Sequence, residues 1–469
     1  MKGGACQDFF LVLQLSGFVC SKVLDYYVPF DIYMASLLCG GPSAMKHASS
    51  KWERDKQLVQ ALIWRRGPTS RAKIHELTRL QHSDVSRLVR ELLDEGKLLQ
   101  AGRANNPMGR KRVMLRLNEG KGFAVGVGFD DQGAAAATTD LHLRIISMVR
   151  ESTRLNGGME GLVEQLLGIS REAIRRAGID PKKLLGIGVA GSGLVNNREG
   201  MMVMSSTIEF CDRVPFREIF QKEFRVPIFL ENITRAKTLA ERTLGAGEMA
   251  EDMIYVEYGR TGIGAGVIIA GKPFYGSGCA AGEFGHTHIM VDGPACKCGS
   301  FGCLEAVAGA AALEGRIRKA IAEGSPSLAL SLAGGDANGL SGWTVFQAAS
   351  LGDKTCSVIV EQAGNYLGLG LANLVNLFNP SLLVLDQRLS LAGEGLLDQI
   401  IKVVRRQALH HSAQGLKIRF GKLGDDASVL GASAVVLERH FEIPALKPPW
   451  FMTEALPALP QEAAGGHAA

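Results

Sequence analysis

The residues with the most recognisable chemistry lie in one short stretch, residues 281–305, which reads AGEFGHTHIMVDGPACKCGSFGCLE. Its metal-binding side chains include one histidine and three cysteines at a suggestive spacing, namely His286, Cys296, Cys298 and Cys303. An imidazole and three thiolates form the Cys₃His set that holds a structural zinc in a closed tetrahedron. Gly299 and Gly302 separate the last ligands, and glycine adopts the unusual backbone angles of a tight loop at little cost. We therefore expect a structural Zn²⁺ here. The alternative is three buried free thiols beside a hydrogen-bonded histidine.

Length and composition limit the class of protein. With 469 residues, of which 46% are apolar and 21% charged, the chain predicts two or three globular domains. Beyond the three proposed ligands, the other six of the nine cysteines are scattered without a disulfide pattern, as expected for the reducing cytoplasm. No apolar run reaches the ~20 residues that a membrane span requires.

Positive charge is concentrated near the N-terminal side of the chain. Residues 51–116 contain 16 Lys or Arg against 7 Asp or Glu, a balance of +9. Because the whole chain carries +5, the remainder totals −4. A basic cluster of this kind is typical of nucleic-acid binding, although a charged run is also found on ordinary solvated faces.

The same region predicts three short helices followed by a hairpin. Leu58, Ala61, Leu62 and Ile63 form the apolar face of the first helix. Ser70 is predicted to cap the second helix and Ser83 the third, which ends at Gly96. Two short helices joined by a tight turn predict a helix-turn-helix whose second helix enters the major groove of DNA.

The polar residues of the third helix and the basic hairpin are the candidate DNA contacts. These are Ser83, Asp84, Ser86, Arg87 and Arg90 on the helix, and Arg110, Lys111 and Arg112 on the hairpin. Residues near the helix N-terminus are expected to reach base edges, whereas the arginines suit phosphates equally well. The alternative, a three-helix bundle that binds another protein, gives no reason for a basic wing.

The runs GEFGH and CKCGSFGCLE, at residues 282–286 and 296–305, resemble the ROK family of repressors, open reading frames and sugar kinases. The resemblance extends from about Lys51 to about Pro444. It implies an α/β fold with an N-terminal winged helix-turn-helix, followed by a two-lobed actin-like or hexokinase-like (ribonuclease H-like) ROK domain. We expect an N-terminal extension at 1–50 that precedes a start at Met45, the winged helix-turn-helix at 51–118, the ROK domain at 122–444 and a disordered tail at 445–469.

The resemblance also assigns roles within the ROK domain. The zinc shapes a loop against a sugar pocket, and Asn232, Glu283, His286 and Glu305 match positions that contact sugar hydroxyls. Carboxylates accept hydrogen bonds from hydroxyls, and a metal-bound imidazole donates its second N–H. Glu305 also suits a structural role, because a carboxylate is favoured in the first turn of the helix predicted over residues 304–321.

Kinases with this fold resemble one another at four positions, and the chain departs at three of them. Residues 128–133, GFDDQG, stand where the first phosphate loop Asp-x-Gly-Gly-Thr is expected. Ile233 stands where the catalytic aspartate follows Asn232, and isoleucine accepts no proton. Residues 386–388, DQR, replace paired glycines beside the adenosine. Only the glycine run at 259–266 remains, and it suits a tight turn between strands equally well.

We interpret the sequence as a sugar-responsive DNA-binding transcription regulator, a repressor with a catalytically inactive kinase-like sensor domain. Its expected partners are operator DNA and a monosaccharide or sugar phosphate. The alternative is an ATP-dependent sugar kinase of the ROK family, and a third reading makes a sugar-transport protein the ligand. A homodimer or homotetramer is expected, because two winged helices related by a two-fold axis read a palindrome.

Overall fold

The computed structural model describes residues 51–106, 109–205, 207–260 and 262–442, without the side chains of residues 103–106 and 109–111. The expected extension and tail lie outside the described residues, as do the side chains of Arg110 and Lys111.

Three helices and a small sheet form the N-terminal domain. The elements in order are α1 (Lys51–Arg66), β1 (Thr69–Ser70), α2 (Arg71–Thr78), α3 (His82–Asp94), β2 (Leu98–Asn106) and β3 (Gly109–Leu117). The strands pair antiparallel in the order β1-β3-β2, so that β2 and β3 form the predicted hairpin. Helices α2 and α3 with this hairpin confirm the winged helix-turn-helix.

The start of α3 differs from the prediction. Ser70 caps α2 as expected, because its hydroxyl accepts the Lys73 N–H at 3.3 Å. Ser83, however, lies inside the first turn of α3, and the N-cap residue is Gln81, which makes no side-chain cap bond. The Gln81 carbonyl already accepts the Val85 N–H at 2.9 Å, so the helix begins before Ser83.

The remaining elements form two lobes with the same sheet topology. In the first lobe they are β4 (Phe123–Phe129), β5 (Gly133–Thr139), β6 (Ile145–Ser152), α4 (Gly158–Ala177), β7 (Leu184–Gly191), β8 (Leu194–Asn196), β9 (Met201–Met204), α5 (Phe216–Phe224) and β10 (Ile228–Asn232). Helix α6 (Ile233–Thr243) follows. The second lobe contains β11 (Met253–Tyr258), β12 (Ile263–Ile269), β13 (Lys272–Pro273), α7 (Leu304–Ala308), α8 (Ala310–Ala322), α9 (Leu328–Leu332), α10 (Gly342–Ser350), α11 (Lys354–Phe378), β14 (Leu382–Leu385), α12 (Glu394–Gln407), α13 (His410–Ala413) and β15 (Lys417–Phe420). The last helix, α14 (Ala427–His440), returns to the first lobe.

The two five-stranded sheets have the orders β10-β7-β4-β5-β6 and β13-β12-β11-β14-β15. In each sheet the first three strands of the lobe pair antiparallel and two later strands add in parallel beside the first. This repeated topology confirms the two-lobed architecture.

Glycines allow two helices to pack closely between the lobes. A Cβ at Gly126 or Gly188 would lie 1.9 or 2.0 Å from a carbonyl oxygen of α14. A Cβ at Gly431 would lie 1.9 Å from the Ala236 carbonyl of α6. The backbone of α14 therefore touches both the first sheet and α6, which fixes the N-terminus of α6 near the junction of the lobes.

One helix predicted as continuous is divided. Residues 304–321 form α7 and α8, separated at Gly309. The Gly309 backbone is extended (φ −73°, ψ 164°), and a Cβ there would lie 2.5 Å from the Glu305 carbonyl. The predicted long helix is α11, whose Gly364 and Gly368 meet side chains of α12 in the same chain.

The winged helix contacts the first lobe through the end of α1 and the end of α14. The Trp64 indole donates to the Leu141 carbonyl at 3.1 Å and stacks on Phe441 with ring centroids 5.2 Å apart. Arg65 pairs with Glu438 at 3.3 Å. None of the helices in the described part of the chain combines the length and apolar character that a bilayer crossing needs.

Candidate metal and ligand site

The four predicted metal ligands come together. Their ligand atoms all lie within 4.8 Å of one another. Cys296 Sγ is 3.6 Å from His286 Nδ1, and Cys298 Sγ is 3.7 Å from Cys303 Sγ. Cys303 is buried at the start of α7, whereas His286 and Cys298 are exposed.

These distances fit a tetrahedral zinc. With Zn–S of about 2.3 Å and Zn–N of about 2.05 Å, the edges of a tetrahedron are about 3.8 Å between sulfurs and about 3.6 Å between sulfur and nitrogen. Both observed separations agree with these edges. The residues present therefore fit the metal that the sequence predicts.

The loop between the ligands depends on glycine, as predicted. Gly299 and Gly302 have φ of +88° and +64°. A Cβ at Gly302 would lie 1.9 Å from the Met290 carbonyl, so a side chain there collides with backbone. The turn is closed by the Cys296 N–H, which donates to the Ser300 carbonyl at 2.7 Å.

The thiols are not equally acidic without a metal. Burial raises the pKa of Cys303 to about 11, whereas the Ser300 N–H lowers the pKa of Cys298. Zinc binds the thiolate form, so metal binding must release protons from this cluster.

Three of the predicted sugar-contacting residues lie at the metal cluster, and one of them, His286, is itself a predicted ligand. Glu283 and His286 are exposed on the loop that precedes the cysteines, and Glu305 is in the first turn of α7. The Ile263 N–H donates to Glu305 Oε2 at 3.1 Å. Burial raises the pKa of Glu305, the Ile263 N–H and the charge of His286 oppose the rise, and Glu283 adds to it. The three groups are thus electrostatic neighbours.

Asn232 occupies the junction of β10 and α6. Its side-chain oxygen caps α6 by accepting the N–H groups of Thr234 and Arg235 at 2.9 and 3.2 Å. Its amide nitrogen donates to the Gly193 carbonyl at 2.9 Å. The sequence analysis did not predict Gly193 as a partner, although Gly191 and Gly193 mark the carboxyl end of the central strand β7.

The loop at Asp130 is closed by its own carboxylate. Asp130 Oδ1 accepts the N–H groups of Gln132 and Gly133 at 2.8 and 2.9 Å. A phosphate bound here would need these same donors. Gln132 also accepts a hydrogen bond at 2.9 Å from Arg260, on the turn between β11 and β12.

The glycine run at 259–266 forms a tight turn and a packing surface. The Gly259 N–H donates to the Gly262 carbonyl at 2.9 Å, while Thr261 lies outside the described residues. A Cβ at Gly264 or Gly266 would lie 2.8 or 1.8 Å from a threonine hydroxyl of α6. These two glycines are therefore explained by the close approach of α6 to β12.

Side chains fill the segment after β14. Asp386 is buried, accepts the Arg388 N–H at 3.0 Å and also accepts the Tyr255 hydroxyl at 3.0 Å. Arg388 lies over the Trp343 ring, 5.8 Å from its centroid, and donates to Asp425 at 2.8 Å.

The candidate DNA-contacting residues of α3 share one face. Ser83, Ser86, Arg87 and Arg90 are exposed and Asp84 is half-buried, while Val85, Leu88, Val89 and Leu92 are buried on the opposite side. Asp84 lies 3.6 Å from Arg87. Arg112 is exposed on β3.

The family profile described as ROK family matches residues 127–439. The chain belongs to the ROK family. Among its ROK relatives, the xylose repressor of Caldicellulosiruptor bescii is 30% identical over 390 residues, which is 83% of this chain and 97% of the relative. The DNA-binding transcriptional dual regulator NagC of Escherichia coli is 28% identical over 403 residues, 85% of this chain and 95% of the relative.

Solved structures of ROK proteins are similar to the chain as well. A ROK family transcriptional regulator, a homolog of the E. coli MLC protein, has a TM-score of 0.70 at 24% identity, covering 83% of this chain and 97% of its own. A ROK family glucokinase from Streptomyces griseus, in complex with glucose and AMPPNP, has a TM-score of 0.60 at 28% identity. It covers 67% of this chain and 99% of its own.

Proposed function

We propose that this ROK protein is a sugar-responsive DNA-binding transcription regulator that acts as a repressor. The observation that carries the proposal is the winged helix-turn-helix with its exposed polar face on α3, joined to a ROK domain. The alignments with the two repressor-type relatives cover 83 to 85% of this chain. The alignment with the glucokinase covers only 67% of this chain, although it includes 99% of the glucokinase. The additional match is about the length expected of residues 51–118 and supports a regulator.

In this proposal the DNA contacts are Ser83, Asp84, Ser86, Arg87 and Arg90 on α3, with Arg110, Lys111 and Arg112 on the wing. Residues at the N-terminal end of α3 read base edges and the arginines neutralise phosphates. The target of this surface is operator DNA, which places the protein in the cytoplasm. Two copies in a homodimer, or in a homotetramer, would bind the two halves of a palindrome.

The sensor site combines a structural zinc with a monosaccharide or sugar phosphate. His286, Cys296, Cys298 and Cys303 hold the Zn²⁺, and the separations fit its tetrahedral geometry. Because His286 Nδ1 faces the thiols, its other ring nitrogen is left to donate to a hydroxyl. Asn232, Glu283 and Glu305 supply the remaining polar contacts.

Phosphoryl transfer is not part of the proposed function. A kinase needs a general base and donors for the phosphate charge. Ile233 supplies no base, and Asp130 uses the N–H groups of its own loop. Arg388, held over Trp343, occupies the segment where kinases resemble one another in paired glycines.

One observation favours a second candidate, an ATP-dependent sugar kinase. The chain is 28% identical to a glucokinase whose structure contains AMPPNP. In a third hypothesis the ligand is a sugar-transport protein. The winged helix would then bind DNA in the same way, but the ROK domain would respond to that protein.

The test begins with a thermal-shift panel of D-xylose, N-acetyl-D-glucosamine, D-glucose and their phosphates, because a ligand of the native state raises the melting temperature. The full chain is then used to select sequences from random duplex DNA. We expect one panel member to stabilise the protein and a specific DNA site to be enriched. A protein that enriches no sequence, yet turns over ATP with a panel sugar, would contradict the proposal.

A further inference from the structure

A buried ion pair lies directly beside Asn232. Glu231 is the last residue before it in β10, and Arg235 is in the first turn of α6. Their side chains are only 2% and 4% exposed, and Arg235 Nε donates to Glu231 Oε1 at 2.7 Å. Oε1 also accepts the N–H of Asn232 at 2.8 Å.

The same pair holds the loop that leads to Glu283. Arg235 Nη1 donates to the Cys279 carbonyl at 3.1 Å, and the guanidinium lies 5.3 Å from the centre of the Tyr275 ring. The Tyr275 hydroxyl donates to Glu231 Oε2 at 3.0 Å. Glu231 Oε2 and Arg235 Nη1 thus connect the start of α6 to residues 275–279, while Glu231 Oε1 and Arg235 Nε join the pair itself.

Residues 275–279 are four positions or more from Glu283 along the chain, and the intervening segment is also anchored. The Ala281 N–H donates to the Tyr275 carbonyl at 3.1 Å, and the Gly282 carbonyl accepts the Ala265 N–H of β12 at 2.8 Å. Gly282 has φ of +101°, and a Cβ there would lie 1.9 Å from the Ala265 carbonyl. The position of Glu283 therefore depends on contacts at both ends of this segment.

Stability alone is a poor explanation for this pair. Desolvating two charges often costs as much as their attraction returns, so buried ion pairs are weak sources of stability. Arg235 Nη2 is in addition buried without a hydrogen-bond partner among the described residues. A planar guanidinium can nevertheless connect several acceptors in fixed directions, which suits a positioning role.

We propose that Glu231 and Arg235 are positioning residues of the sugar site, which hold Asn232 and Glu283 in register across the two lobes. This inference rests on the proposed sugar site. The Glu231–Arg235 pair is not proposed to contact the sugar directly. It acts through Asn232, whose N–H it accepts, and through the loop at Tyr275 and Cys279 that carries Glu283.

The test uses the double variant Glu231→Gln/Arg235→Met, which leaves no unpaired buried charge. The control is Arg171→Met/Glu223→Gln, because Arg171 Nε and Glu223 Oε1 are also 2.7 Å apart but exposed. Sugar affinity is measured by calorimetry with the panel sugar that shifts the wild type most. We expect about 10- to 100-fold weaker binding for the buried-pair variant, unchanged zinc content, and no change for the control.

A second measurement separates positioning from a general structural role. Glu283→Gln is introduced into the wild type and into the double variant. If the pair positions Glu283, this substitution weakens sugar binding in the wild type and adds little in the double variant. Two independent, additive losses would overturn the proposal, as would a double variant that binds sugar like the wild type.

A third readout needs no sugar, so that it distinguishes failure of this inference from failure of the proposed function. Amide hydrogen exchange of residues 275–283 should be faster in the double variant than in the control. Unchanged exchange would overturn the inference even if no panel sugar binds. If the double variant does not fold, Tyr275→Phe removes only the hydroxyl that donates to Glu231 and should show the same directions of change.

Discussion

Replacing Ile233 with aspartate returns the general base that kinases of this fold carry, and the structure indicates that this change alone restores little catalysis. Ile233 is the first residue of α6 and is 6% exposed, directly after Asn232. General-base assistance is worth about 10²- to 10⁴-fold in rate. That factor is the most that Ile233→Asp can recover.

The lack of free N–H donors for a phosphate at the Asp130 loop is expected to lower the rate of phosphoryl transfer more than the missing base does. The N–H groups of Gln132 and Gly133 donate to the Asp130 carboxylate at 2.8 and 2.9 Å, and no substitution at residue 233 releases them. Loss of one preorganised donor costs about 10²- to 10³-fold, so two cost about 10⁴- to 10⁶-fold. Against the usual ~1 to 100 s⁻¹ of kinases, we expect turnover below about 10⁻² s⁻¹.

The assay is ATP turnover by the wild type, Ile233→Asp and Ile233→Asn, with a sugar that thermal shift has shown to bind. Asparagine matches aspartate in shape and supplies no base, so it controls for the change in packing. Ile233→Asp turnover of about 1 to 100 s⁻¹ would show that the missing base alone prevents catalysis, contrary to this prediction. Wild-type turnover in that range would favour the kinase alternative.

Three further predictions follow from named contacts. Elemental analysis should find one zinc per chain in the wild type, and Cys298→Ala should lose the metal and the sugar response together; folded wild type without metal would contradict the assignment. Arg90→Ala should weaken DNA binding and reduce the slope of log K against log salt by about 1, whereas the exposed Arg406→Ala should change neither in the same titration. Burial by itself would raise the pKa of the Asp353 carboxyl. Hydrogen bonds from the Cys356 N–H at 2.8 Å and from other donors nevertheless hold this pKa below its ordinary value of 3.8. The stabilisation by ionised Asp353 is therefore present above about pH 3.8 and is lost as the pH falls through the pKa of the folded state. Asp353→Ala should lower the free energy of urea unfolding by ~1 kcal/mol near neutral pH and by less in acid. A difference between wild type and variant that does not change with pH would contradict this.

The elements with strong local patterns were predicted well. The alternating helices and strands after Phe123, the hairpin and the buried stripe of α3 follow from periodicity, and the cluster of the four predicted metal ligands follows from residue type and spacing. Local rules were less accurate at the helix ends. The helix cap expected at Ser83 is Gln81 instead, and Gly309 interrupts the helix expected over 304–321.

Contacts between distant segments were beyond sequence reasoning. The glycines at 264 and 266 could be read as phosphate-binding, but the structure shows that the threonines of α6 need the space. The contacts from Glu231 and Arg235 to Tyr275 and Cys279 each span 44 residues and join two lobes. No local pattern encodes such pairs, because they arise from how the sheets and α6 pack.

One titration shows directly whether sugar binding controls DNA binding by this protein. A duplex selected by the full chain from random DNA is titrated with the protein at fixed salt, with and without the sugar that raises its melting temperature. We predict specific binding on the order of 10⁻⁸ M or tighter. The sugar should weaken this binding at least about tenfold, which corresponds to a coupling free energy of about 1.4 kcal/mol. Specific DNA binding that is unchanged at a saturating concentration of that sugar would contradict it.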